Sequence, residues 1–199
     1  MRTLEPRYNR DRVIDPNYGP GMIGFSYRDN SVVSRGIAYF TQEEHDRIVP
    51  SHTFIVRDKT KLVEAHFPEV REAELSEYFD NPHIIVFFKK PKELTITEID
   101  VIIFNALLHL GRKYDVSSYT YYFVRKLLRL LGRFEPGKDK PSRFDSPEEW
   151  VCSELVSHCL KMVPKYANLF PLSEYHPSKI DPVMLFRSVE LFEPWRFDA

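Results

Sequence analysis

Cysteine is scarce: the 199 residues hold two, Cys152 and Cys159. They stand seven apart on one stretch of helical periodicity, so their Cα atoms would be about 10 Å apart at the helical rise, beyond the reach of a disulfide. No Cys-x-x-Cys pair and no Cys/His ligand spacing occurs. A structural zinc is therefore not expected, and no metal or organic cofactor is called for. Long apolar runs are missing too. Nowhere do about 18 apolar residues follow one another, so no membrane-spanning helix is expected. Met1 to Asn17 is charged, broken by Pro6 and Pro16, and without an apolar core of the secretory kind; the cytoplasm is the expected compartment. The formal net charge is −1, which gives no electrostatic reason to expect a nucleic-acid partner. Glycine is sparse, 7 against 15 prolines, which points to long, stiff connections. Internal repeats and low-complexity segments are absent.

What is there suffices for one folded domain. Hydrophobic residues make up 43% and charged residues 29%, a balance that folds rather than staying disordered, and the length supports a substantial core. Residues 1–20 read as an N-terminal arm and 21–199 as a single domain. Tyr18-Gly19-Pro20-Gly21 is a turn. Met22–Tyr27 and 34–40 read as strands, and Thr41–Glu44 as the start of a short helix in which His45 is a solvated surface imidazole. Residues 71–80 read as a short acidic helix. The run from His83 to Phe88 reads as a central strand buried on both sides, with His83 at its start as a cap or edge group. Thr95 and Glu98 form a capping box that opens a helix with Ile99, Ile102, Ile103, Ala106, Leu107 and Leu110 as its stripe. His109 serves packing there, and Gly111 stops the helix. A short helix near 182–187 and a strand near 189–192 close the chain.

The chemistry gathers at Trp150-Val151-Cys152-Ser153-Glu154-Leu155-Val156. A polar loop, 138–149, precedes it. After it Leu155, Val156, Cys159, Leu160 and Val163 recur at spacings of three and four, the pattern of a helix. Cys152 thus falls in a helix's first turn, where unpaired N–H groups and the positive end of the dipole favour a thiolate. The same N–H groups can hold a developing oxyanion. Most free cysteines are small buried hydrophobes, so position alone does not make a nucleophile.

A partner stands upstream. Pro50 to Val56 reads as a turn and a strand, and Lys61 to His66 as a second strand after Asp58-Lys59-Thr60, together a hairpin. Strand alternation puts His52, Phe54 and Val56 on one face and Leu62, Glu64 and His66 on another. With an even register these faces coincide, and His52 neighbours Glu64 or His66. Packed against the Cys152 helix, such a surface would complete a Cys–His–Glu arrangement.

The strings Pro50–Val56 (PSHTFIV), Leu62–Ala65 (LVEA), Gly111–Asp115 (GRKYD) and Val151–Val156 (VCSELV) resemble the circularly permuted papain-like amidases, the YiiX/YaeF-like group. These are relatives of NlpC-type cell-wall peptidases and of lecithin:retinol acyltransferase. Unpermuted relatives place the cysteine helix first, whereas here the order is His52, Glu64, Cys152. The resemblance covers roughly residues 34–190. It implies an α+β fold with a small, mostly antiparallel sheet packed against helices that include the nucleophile helix. It also implies Cys152 as nucleophile, His52 as base and Glu64 as orienter. Val151 departs from unpermuted relatives, which often carry Asp there. Gly111 and Tyr114 fit a Gly-x-x-Tyr spacing of relatives, which makes Tyr114 either an oxyanion donor or aromatic filler.

The expected function is a thiol-dependent hydrolase, an amidase or peptidase that works through a thioester on Cys152. Its partner is a small-molecule, peptide or acyl-amide substrate. An acyltransferase or lipid hydrolase with the same triad, and a non-catalytic binding module, are the alternatives. The segment 117–133 reads as a basic amphipathic helix. A solvated basic face is favoured over membrane contact on the base rate of such helices.

Overall fold

The structure is a computed structural model and describes residues 17–41, 49–115 and 149–194. The first sixteen residues of the expected arm, 42–45 of the expected short helix with His45, the basic segment 117–133 and nearly all of the polar loop before Trp150 lie outside the described residues. Thr41, expected to cap that helix, instead ends the helix Val32–Thr41.

The chain is α+β. Its strands are β1 (Ile23–Arg28), β2 (His52–Val56), β3 (Lys61–His66), β4 (Glu69–Glu74), β5 (Ile84–Lys89), β6 (Lys113–Tyr114) and β7 (Glu149–Trp150). They form one sheet in the order β5-β1-β2-β3-β4-β6-β7. Every pairing is antiparallel except β6 with β7. The helices are α1 (Val32–Thr41), α2 (Ser76–Phe79), α3 (Ile96–Leu107), α4 (Cys152–Lys161), α5 (Pro164–Ala167) and α6 (Pro182–Phe186), with a 3-10 turn at Pro177–Lys179. Among the described residues no helix is long and apolar enough to cross a membrane.

The period-two alternation of the strands divides the interior. Ile55, Val63, Ala65, Val70 and Phe87 face one side, where they meet Leu155, Val156, Cys159 and Leu160 of α4 together with Ile102 and Ala106 of α3. Phe54, Val56, Leu62, Ala73, Val86 and Phe88 face the other, where Leu75 and Tyr78 cover them. Each strand is therefore read twice, once by each core, which fixes register, because a slip of one residue would exchange the two sets.

Four expected elements differ. Residues 34–40 are not a strand but part of α1. Its apolar positions fall at helical spacing, with Ser34 and Ala38 buried, and the Ser31 hydroxyl accepts from the Ser34 N–H at 3.2 Å, as a helix-capping side chain does. Residues 69–74 are strand β4, so the acidic helix shortens to α2. Here the cross-strand pairs Leu62 with Ala73 and Glu64 with Arg71 outweigh helix propensity. The run 84–89 ends the sheet order instead of lying in its centre; both its faces are packed, because each core claims alternate residues. The strand near 189–192 reduces to a bridge between Phe192 and Pro91. The capping box formed as expected: Thr95 and Glu98 bond reciprocally at the start of α3.

Gly24 explains a local feature of β1. It lies opposite Phe54 in the β1–β2 ladder, and a Cβ there would stand 2.1 Å from the ring, itself wholly buried. Gly24→Ala should cost about 1–3 kcal/mol by overpacking. Urea unfolding checks this; an unchanged midpoint would show that Phe54 yields.

Candidate active site

Cys152 is the first residue of α4, with Val151 in extended conformation at the N-cap and no side-chain cap on the helix. Position alone leaves the Cys152 N–H without an intrahelical acceptor. The helix is pinned from below by Leu155, Val156, Cys159 and Leu160, all without exposure. It packs across β2 and β3. The site helix is thus held by the larger core, and its first turn projects at the sheet's end.

His52 opens β2, where the ladder sets it opposite Ser26 of β1. The β2–β3 register pairs Ile55 with Val63 and Val56 with Leu62. Extended by one residue, it sets Phe54 opposite Glu64, so His52 and Glu64 are diagonal neighbours on one face. Their side chains meet: His52 Nε2 and Glu64 Oε2 are 2.7 Å apart. The even register is the one that alternation required.

Glu64 has no solvent exposure and is surrounded by donors. Tyr78 Oη donates to the same Oε2. Arg71 donates to Oε1 from Nε at 2.9 Å and stands 2.8 Å from it through Nη2. Arg71 Nη2 also reaches Glu77 Oε2 at 2.8 Å. The Tyr78 ring lies nearly parallel to the His52 ring, with centroids 6.3 Å apart and an interplanar angle of 10°. His66, the other polar candidate on the strand, stands edge-on to His52 with ring centroids 6.0 Å apart and makes no hydrogen bond to Glu64. Its Nδ1 is 3.0 Å from the Phe67 carbonyl.

These contacts set the charges. Burial would raise the Glu64 pKa, but the hydrogen bond and charge of His52, with the hydrogen bond from Tyr78, hold it at about 2. Burial would likewise disfavour a charged His52. The charge and hydrogen bond of Cys152, with those of Glu64, outweigh burial and lift the His52 pKa to about 10. His52 is thus an imidazolium between a sulfur and a carboxylate. Nε2 is taken by Glu64, which leaves Nδ1 as the other ring nitrogen. Burial, and then the Glu64 charge and hydrogen bond, raise Tyr78 well above the ordinary phenol value, so it stays a donor. Burial alone pushes the Cys159 thiol far up.

The sequence-derived candidates fall as follows. Cys152, His52 and Glu64 converge, but not quite as the strand-face argument implied. Helix α4 packs against the sheet face opposite the one that bears His52 and Glu64, and the sulfur meets the imidazole at the end of the sheet. The reason is that Ile55, Val63 and Ala65 supply the apolar face that an amphipathic helix needs, while the His52 face is partly polar. Tyr114 lies in β6 beside Trp150. It is buried in the larger core and contributes to the wall of the same cavity as His52. His109 packs on Trp150 with ring centroids 4.2 Å apart. Sequence reasoning missed Tyr78 and Arg71. Arg71 had a signal: a strand at 69–74 would have paired it with Glu64. Tyr78 had none, since its approach depends on how α2 folds over the sheet.

A cavity of about 510 Å³ opens over His52. Its described wall includes Ser34, Ser51, Val33, Ile37, Phe67 and Ile84 as well as Tyr78 and Tyr114. Cys152 is 5% exposed and is not part of that described wall. Among the described residues, no group of three or more His, Cys, Asp or Glu side chains is placed to hold a metal ion.

No protein-family model and no curated protein sequence matches the chain. Among solved structures, the chain is similar to the metalloprotein YiiX from Escherichia coli O157:H7, at 22% identity and a TM-score of 0.46, over 87% of this chain and 94% of that one.

The charge state predicts a pH signature. Raised from an ordinary 6.5 to about 10, His52 contributes stability that is complete below pH 6.5 and lost as pH climbs through 10. Lowered from 4.5 to about 2, Glu64 contributes stability that is complete above pH 4.5 and lost as pH falls through 2. The stability advantage of the parent over Glu64→Gln should therefore be largest near pH 5–6.5 and shrink towards pH 10. Urea titrations across that range measure it; a flat difference would mean that His52 is not charged.

Proposed function

We propose that this protein is a cysteine-dependent hydrolase that cleaves an amide or peptide bond through a thioester on Cys152. The observation that carries this reading is His52 Nε2 held 2.7 Å from the buried Glu64 carboxylate, on an imidazole that Cys152 lies near enough to influence electrostatically. A binding module has no need of such an arrangement. The order His52, Glu64, Cys152 along the polypeptide also agrees with the permuted papain-like resemblance.

The groups divide the work. The Cys152 thiolate attacks the carbonyl carbon, and a C–S bond forms as the carbonyl oxygen takes the negative charge. The Cys152 N–H, at the first position of α4, and the Tyr114 hydroxyl hold that oxygen. His52 gives its proton to the amine, the C–N bond breaks, and the amine leaves. Neutral His52 then takes a proton from water. The hydroxide attacks the thioester, the C–S bond breaks, and the acid departs, restoring thiolate and imidazolium. Glu64 holds the imidazole in register and favours its charged form. Tyr78 and Arg71 hold Glu64 in turn. The carbonyl enters where His52 and Tyr114 border the cavity.

Alkylation by iodoacetamide near neutral pH, followed by peptide mapping, should label Cys152 and spare Cys159, whose thiol is buried in the core. Preferential labelling of Cys159 in the folded protein would overturn the assignment. Once an amide substrate is in hand, Cys152→Ala should abolish turnover and His52→Ala nearly so, with Glu64→Gln leaving partial activity. His66→Ala should do little.

Tyr114→Phe separates chemistry from packing. The ring stays and the hydroxyl goes. Turnover should fall about 100-fold, roughly 3 kcal/mol, at an unchanged thermal midpoint. Unchanged turnover with a lowered midpoint would make Tyr114 a packing residue.

A further inference from the structure

The cavity over His52 carries a charge that the Glu64 network does not use. Strand β1 ends at Arg28, and its ladder with β2 sets Ser26 opposite His52. Arg28 is two residues further along the same face, about 7 Å along the strand. It contributes to the cavity wall together with His52. The Arg28 guanidinium has no ion pair with any described residue, whereas Arg71 and Glu77, the other strongly charged groups of the described wall, are bonded to each other, and Arg71 also to Glu64. Burial, the largest influence on His66, favours its neutral ring. The first turn of α1, which borders the cavity, brings no acid to it.

The described wall therefore holds one uncompensated cation near the imidazole. It also has two textures. Ser34 and Ser51, hydrogen-bonded to each other, lie on it, and so do the apolar Val33 and Ile37 of α1. Val33 is 53% exposed, so an apolar edge is open to whatever enters. A planar guanidinium with free N–H groups matches a carboxylate or phosphate and repels cations. The Val33 and Ile37 side of the wall suits hydrocarbon.

We propose that the cavity selects substrates bearing an oxyanion, a carboxylate or phosphate a few bonds from the scissile amide, with Arg28 holding that group and the Val33–Ile37 side of α1 taking an apolar acyl chain. This rests on the hydrolase reading of Cys152 and adds a substrate class to it. Arg28 is a specificity residue: it touches the substrate and takes no part in the bond changes.

Binding and turnover test it separately. Calorimetry on the Cys152→Ala protein compares N-decanoylglycine, N-decanoyl-O-phosphoethanolamine and the neutral N-decanoylglycinamide. At least one anionic probe should bind about tenfold more tightly than the neutral one, the scale of a charge-assisted hydrogen bond. The better of the two identifies the oxyanion as carboxylate or phosphate. Arg28→Met should erase the difference, and Arg28→Lys should restore part of it. In the protein with Cys152 intact, Arg28→Met should raise KM for the anionic amide about tenfold with kcat little changed, and leave the neutral amide unaffected. Equal binding of charged and neutral probes, no binding of either anionic probe, or a preference that survives Arg28→Met would overturn the proposal. Arg28-dependent binding without any turnover by the parent would keep the cavity assignment and sink the hydrolase reading. Turnover of neutral and anionic amides alike would do the reverse.

Discussion

A carboxylate without solvent contact is the constraint that the site depends on. Unpaired, a buried charge of this kind would cost several kcal/mol, and Glu64 avoids that cost through three side chains from three different elements: His52 of β2, Arg71 of β4 and Tyr78 of α2. The pairing binds the site to the fold. Moving β2 by one residue would remove His52 from Glu64 and would also turn Phe54 and Val56 out of their core. Moving β4 would strip Arg71 from the carboxylate. The register that keeps the two cores dry is thus the register that builds the network.

The two faces of the sheet have separate duties. On one, α4 is anchored by fully buried aliphatic side chains, so its first turn is a fixed point. On the other, the polar network and the cavity replace part of the apolar cover. Cys152 and His52 approach from opposite sides and meet where β2 begins. In the hydrolysis proposed above, a thiol brought by a core-locked helix and an imidazole held by a buried carboxylate would lose little further freedom, which is how positioning lowers a barrier.

The electrostatics of the site are graded outward. Innermost is Glu64, held ionised; beside it is His52, held protonated; further along the same face is Arg28, whose charge no described side chain offsets. Arg71, although a cation in the same wall, is spent on Glu64 and Glu77. Position in the network, not residue type, decides which guanidinium is left without a charged partner among the described residues.

Local patterns made much of this legible. The capping box at Thr95, the hairpin of β2 and β3 and the periodic stripe after Cys152 depend on residues close in the chain, so their signals survive without tertiary information. Alternation put His52 on one face with Glu64 and His66, because the side-chain period of a strand is two wherever it folds, and the structure pairs it with Glu64. The elements read wrongly were those whose state is set by distant partners. Residues 69–74 became a strand because β3 offered an edge with Arg71 opposite Glu64. The 84–89 run could not reveal its place in the sheet, because burial on both faces looks alike at the edge and in the centre when both faces are covered. The three-way grip on Glu64, the face on which α4 packs and the solitary charge of Arg28 were decided only by tertiary structure. Each is a relation between groups far apart in the chain, and the physical reason is geometric: periodicity tells a residue which way to point, whereas packing decides what it points at.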